Sequence, residues 1–128
     1  MQDLVSAAHT AIQRVYREPF HTVGAAARTS AGGIFTGVNL DCSGFGPCAE
    51  SIALGAAITA GQPDIVQIVA VRPDGIILSP CGNCRQLLVD LAPNALVLMP
   101  SSEGIVSIPI AQLLPDPYRG GWNEQAPS

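Results

Sequence analysis

Residues 65–71 read Ile-Val-Gln-Ile-Val-Ala-Val, IVQIVAV. The run is apolar and rich in β-branched side chains. Such a strand is covered on both faces, as in sheets that carry helices above and below. The stretches on either side are consistent with that. Upstream, residues 48–60 are alanine-rich and carry Ile52, Leu54 and Ile58, which suits a helix buried on most sides. Gly61 and Pro63 end it. Downstream, Arg-Pro-Asp-Gly (72–75) turns the chain and Ile-Ile-Leu-Ser (76–79) leads into a segment with two cysteines. CRQLLVDL (84–91) is helical and stops at Pro93, and ALVLM (95–99) is another buried strand.

The flanks complete the pattern. Residues 3–17 form a helix with Leu4, Ala8, Ala11, Ile12 and Val15 at helical spacing. Asp3 suits its cap, and Pro19 stops it. TVGAAAR (22–28) and IFTGVN (34–39) are two strands joined by Thr-Ser-Ala-Gly-Gly, a hairpin. IVSIPI (105–110) is a last strand, and Pro109 places it at a sheet edge. AQLL (111–114) makes a short helix. The order αββαβαββ predicts a three-layer α/β/α sandwich around a mixed sheet of about five strands, and residues 1–128 read as one domain.

Composition narrows the partners. The chain has 128 residues, 48% apolar and 12% charged, with a net charge of −4. All six basic residues are arginines, scattered at Arg14, Arg17, Arg28, Arg72, Arg85 and Arg119. No basic stripe exists to neutralise a phosphate backbone, so a nucleic acid polymer is not an expected partner. A small neutral or cationic substrate fits this balance. No stretch approaches the ~18 apolar residues of a membrane helix, and the N-terminus lacks the pattern of a signal peptide. A soluble cytoplasmic protein is expected. In a reducing cytosol, clustered cysteines bind metal or do chemistry more often than they form disulfides.

The chemistry lies in two short motifs, GPCAES (46–51) and LSPCGNCRQ (78–86). Cys81 and Cys84 are three positions apart at the start of a predicted helix, behind Pro80. Cys48 opens the alanine-rich helix in the same way, behind Pro47. The positive end of each helix dipole favours thiolate over thiol. Two helix starts aimed at one point would gather three thiolates. Three protein ligands with an open fourth position are the pattern of a catalytic zinc. Glu50, two residues after Cys48, would lie within reach of that position as a proton carrier. The full pattern, Cys-x-Glu, then residues 51–79, then Pro-Cys-x-x-Cys, is the signature of zinc deaminases.

VGAAA, IFTGVN, PCAE, SPCGNCRQLL and LLPDPY occur in the order and spacing of the cytidine deaminase family, which the chain resembles from about residue 4 to 118. Within the family it looks closest to the blasticidin-S deaminase branch. Cys48 follows Asn39 by nine positions, a loop two residues shorter than in common cytidine deaminases. The resemblance implies a homotetramer of α/β/α subunits with one zinc each. It implies hydrolytic removal of the C4 amino group of a cytosine ring. The substrate would be cytidine, deoxycytidine or a cytosine nucleoside antibiotic such as blasticidin S. It matches Cys48, Cys81 and Cys84 to the zinc ligands and Glu50 to the proton shuttle. It matches Asn39 to a sugar-binding residue and Ala49 to a backbone N–H that faces the ring carbonyl. Tyr118 falls where the family places an aromatic that reaches a substrate pocket, often a neighbouring subunit's. Three positions depart from the family: Asp41 stands where it has glutamate, His21 where it has phenylalanine, and Ser51 where an arginine often bonds the thiolates. Asp41 and His21 then belong to the substrate-binding set, and Arg85 is expected to take over part of the thiolate compensation.

Two other readings of the cysteines stand beside this one. Cys81 and Cys84 would form a redox pair, which explains neither Cys48 nor Glu50. Or Cys42 would close a four-cysteine structural site in a non-catalytic binding protein. His9 is expected to be structural, and Trp122 to pack at a subunit interface.

Overall fold

The computed structural model describes residues 1–120. Trp122 lies outside them. Helix α1 spans Gln2–Val15 and is followed by the hairpin of β1 (Gly24–Thr29) and β2 (Ile34–Val38). Then come α2 (Ala49–Thr59), β3 (Ile65–Val71), β4 (Ile77–Leu78), α3 (Gly82–Leu91), β5 (Leu96–Ser101), β6 (Gly104–Pro109) and α4 (Ile110–Leu113).

The strands form one sheet in the order β2-β1-β3-β5-β6. All neighbours on that path are antiparallel except β3 and β5, which are parallel. A parallel pair needs a crossover, and α3 provides it. β6 is an edge strand, as Pro109 required.

β3 is the hinge of the architecture. Its side chains alternate between two cores, because successive residues of a strand face opposite ways. Ile68 and Ala70 join a core with Ala53, Leu54 and Leu88 from α2 and α3. Val69 and Val71 join a second core with Leu4, Ala8 and Ile12 of α1. The sheet therefore has α1 on one face and α2 and α3 on the other, the expected three layers. Full burial of each large apolar side chain contributes roughly 1.5–3 kcal/mol.

Two glycines permit the close layers. A Cβ on Gly24 would collide with the carbonyl of Ala8 and with Ile12, so glycine lets α1 press onto β1. A Cβ on Gly37 would collide with the backbone of Ala53 and with Ile52, so glycine lets α2 press onto β2.

Local details differ from the sequence reading. Met1, not Asp3, occupies the N-cap of α1. The Asp3 carboxylate instead accepts from the Leu4 N–H at 2.9 Å and from Arg28 at 2.7 Å, which ties the helix to β1. The sheet also gains a sixth strand, β4, which pairs with the end of β3 through Ala70–Leu78 and Val71–Ile77. Two residues are too few to show a period, so only tertiary pairing reveals it. This strand delivers Pro80 and Cys81 to the sheet end where Cys48 waits. Among the described residues, no helix is long and apolar enough to cross a membrane.

Candidate metal centre and active site

Cys48 is the N-cap of α2 and Cys81 the N-cap of α3. Both have extended backbones, and neither helix has a side-chain cap. At the start of α3 the N–H groups of Asn83 and Cys84 donate toward the Cys81 thiol. Cys84 lies in the first turn of α3 and is fully buried. The three Sγ atoms lie within 4.8 Å of one another, and those of Cys48 and Cys81 are 3.8 Å apart. Tetrahedral zinc with Zn–S of about 2.3 Å requires S···S of about 3.8 Å. The spacing fits that ion and is far too long for a disulfide, whose S–S is about 2.05 Å. No other such cluster of three occurs among the described residues.

Electrostatics point the same way. Burial raises the affinity of Cys48 for its proton. Burial, reinforced by the negative charge of Glu50, pushes the Cys84 thiol far above its ordinary range. At Cys81 burial also opposes ionisation, but N–H donation from Cys84 and Asn83 and contacts with both thiols outweigh it, and the thiol is lowered. The chain alone does not hold three thiolates together. A divalent soft-tolerant cation would hold them, and three sulfurs are a donor set that suits zinc.

Glu50 is 7% exposed and makes none of the ion pairs found among the described residues. Burial raises its carboxyl above the usual value; its own N–H and the Cys84 thiol oppose this in part. It lies beside the sulfurs without belonging to their cluster, as its place in the first turn of α2 dictates.

A cavity of about 260 Å³ opens onto this corner. Its lining includes Asn39, Asp41, Cys48, Ala49, Glu50 and Cys81, to which the sequence assigned roles, and Thr22, Val23, Leu78 and Ser79, to which it assigned none. Ala49 is the first residue of α2, where a backbone N–H has no partner within the helix. His21 and Tyr118 do not line the cavity. The His21 ring reaches the Asn39 carbonyl at 2.9 Å and so supports the wall from behind. A larger groove of about 620 Å³ runs along α1 and β2, but it holds no sulfur and no buried acid.

Asn39 has structural work of its own. Its Oδ1 accepts from the N–H groups of Thr22 at 2.7 Å and Val23 at 2.9 Å, and its Nδ2 donates to Thr22 Oγ1 at 3.1 Å. Both lone pairs are used, and one N–H is left for the cavity. Thr22 and Val23 gave no sequence signal because they enter the lining through this tertiary brace.

Cys42 stays apart. It is exposed and its thiol donates to the Phe45 carbonyl at 3.2 Å, so it does not close a fourth corner. Arg85 turns away from the sulfurs. Its guanidinium donates to the Pro80 carbonyl, the Leu113 carbonyl and the Ser79 hydroxyl at 2.8–3.0 Å. The expected hydrogen-bond compensation of thiolate by Arg85 is therefore not seen; the residue instead anchors the loop before Cys81. His9 binds the Pro73 carbonyl at 2.8 Å, a structural contact.

Comparison with known proteins bears on this geometry. Residues 1–99 match the family described as the cytidine and deoxycytidylate deaminase zinc-binding region. The chain is 38% identical over 126 residues to the blasticidin-S deaminase of Bacillus cereus, covering 91% of this chain and 90% of that one. It is 34% identical over 100 residues to the cytidine deaminase of Halalkalibacterium halodurans, covering 75% and 76%. The crystal structure of cytidine deaminase from Mycobacterium tuberculosis superposes with a TM-score of 0.81 at 28% identity, covering 93% of this chain and 97% of that one.

Proposed function

The chain belongs to the cytidine and deoxycytidylate deaminase family, a hydrolytic, zinc-binding one, and from that we propose that it removes the C4 amino group from a cytosine ring in a small nucleoside or nucleoside-like substrate. Cytidine, deoxycytidine and the antibiotic blasticidin S are the candidates. The observation that carries the reading is Glu50: a buried carboxylate beside three converging thiols, inside the same cavity as Asn39.

Cys48, Cys81 and Cys84 hold the zinc. The bound ion supplies the Lewis acidity that makes water a nucleophile near neutral pH. The residues do the rest. The raised proton affinity of Glu50 suits it to take a proton from the attacking water and return it to the ring nitrogen beside C4. The new C4–O bond forms as the C=N double bond opens. Glu50 then carries the second proton to the exocyclic amine, the C4–N bond breaks, ammonia leaves and the ring carbonyl forms. The Ala49 N–H, unpaired at the start of α2, orients the ring carbonyl. Asn39 contributes its remaining N–H to the sugar or the group replacing it, and Asp41 faces that group across the cavity. His21 acts from behind the wall by holding the Asn39 backbone.

We read the working form as a homotetramer in which Tyr118 enters a neighbouring copy's cavity. Large apolar side chains at the surface support this, among them Phe45 at 80% and Tyr118 at 74% exposure. Sedimentation showing a monomer at micromolar concentration would overturn it. A reducing, cytosolic setting suits four unbridged cysteines.

Glu50→Ala tests the chemistry. It should keep the zinc and lose at least ~100-fold in ammonia release. Retained turnover would refute the assignment. A screen of aminopyrimidines and aminopurines for ammonia release identifies the substrate.

A further inference from the structure

The helix that carries Cys84 also grips the C-terminal segment. Two consecutive residues do it. Arg85 donates to the Leu113 carbonyl at 3.0 Å, at the end of α4. Gln86 binds Tyr118 twice through its side-chain amide: Oε1 accepts from the Tyr118 N–H at 2.8 Å, and Nε2 donates to the Tyr118 carbonyl at 2.9 Å. The same Nε2 donates to Asp90 Oδ2 at 3.3 Å, one helical turn on. A carboxylate can only accept, so Asp90 decides which end of the amide is the donor.

This arrangement has an unusual product. The Tyr118 backbone is clamped in both directions, while the residue as a whole is 74% exposed. Between the two grips, Pro115 and Pro117 restrict the backbone and offer no N–H. A clamp that served only to bury the segment would bury the ring. This one leaves Tyr118 largely exposed on a stiff arm. Tyr118 does not line the cavity of its own chain.

We propose that Gln86 is a positioning residue: its amide, oriented by Asp90, fixes Tyr118 so that the ring is presented to the substrate cavity of a second copy. The proposal rests on the reading of Tyr118 as a substrate-facing aromatic. It adds a physical link between the zinc helix of one chain and substrate binding in another.

The test is steady-state kinetics on the zinc-loaded full chain, with cytidine and blasticidin S as substrates. Gln86→Ala, Tyr118→Ala and the double variant are compared, with zinc content measured for each. Gln86→Ala removes both hydrogen bonds to Tyr118 and the one to Asp90, and should raise KM by about 5–10-fold with kcat nearly unchanged. Tyr118→Ala should raise KM at least as much. In the double variant the Gln86 change should add almost nothing, because the two residues act as one unit. Gln86→Glu is the second variant. It keeps the shape and the acceptor but sets a carboxylate against the Tyr118 carbonyl and Asp90, and it should raise KM further; adding Asp90→Asn should recover part of that. If Tyr118→Ala leaves KM unchanged, the reading of Tyr118 fails and the positioning role with it. If Tyr118→Ala raises KM but the Gln86 variants do not, the positioning role alone is wrong. A joint fall in kcat and zinc content, additive with Tyr118→Ala, would show that Gln86 merely seats Cys84 and would likewise overturn the proposal.

Discussion

The Sγ atoms of Cys48 and Cys81 stand 3.8 Å apart at the starts of two helices that approach the same end of the sheet. Cys84 completes the group, and Cys42 does not enter it. Cys84→Ser should therefore abolish stoichiometric zinc binding, while Cys42→Ser should retain one zinc per chain. Metal analysis of the two purified variants checks this. Loss of zinc from Cys42→Ser would restore the closed four-cysteine reading.

Burial raises the Glu50 carboxyl, so the fold favours its protonated form. A group raised in this way stabilises the fold most below its unfolded value of 4.5, and that contribution is lost as pH rises through the folded value. Glu50→Gln keeps the shape and removes the charge. Its stability advantage over the parent should grow from pH 5 to pH 8, read by thermal melts at fixed zinc. A difference that stays flat across that range would mean the carboxyl titrates normally.

Asn39 braces Thr22 and Val23 with three hydrogen bonds at 7% exposure. Asn39→Ala leaves two backbone N–H groups without acceptors and should cost about 2–4 kcal/mol. Asn39→Asp keeps both acceptors and loses only the donor to Thr22, so it should be the milder change. Urea unfolding midpoints give the order. Equal losses would show that the brace is not what Asn39 contributes.

Gly24 lies under α1, where any Cβ meets the Ala8 carbonyl and Ile12. Gly24→Ala should cost about 1–3 kcal/mol despite alanine's better fit to a strand. The loss should come without a change in zinc stoichiometry, because α1 covers the sheet face opposite the thiols. A neutral effect on the melting curve would mean that α1 shifts freely on the sheet.

The layered architecture was legible because IVQIVAV has no wet face, and a strand of that kind must have helices on both sides. The three sulfurs and Glu50 were legible because Pro47 and Pro80 mark helix starts and the spacing from Cys48 to Glu50 is local. The rest of the cavity was not. Thr22, Leu78 and Ser79 have side chains to which no role could be assigned from sequence, and they meet the thiols only through the pairing of β4 with β3 and the Asn39 brace. Arg85 shows the same limit in reverse. Its position beside Cys84 suggested service to the thiolates, yet its side chain follows the better hydrogen-bond geometry of three nearby oxygens.

The sequence by itself determined every element type but that of β4, the layer order and which atoms can bind metal, since these follow from periodicity, helix-breaking residues and donor chemistry within a few positions. Only the tertiary structure decided that Cys48 and Cys81 stand within ligand distance, that Cys42 stands aside, and that the Tyr118 backbone is clasped by Gln86. Those relations depend on which strands pair and how closely helices press on the sheet. Packing of that kind is set by the whole chain at once, and no local spacing encodes it.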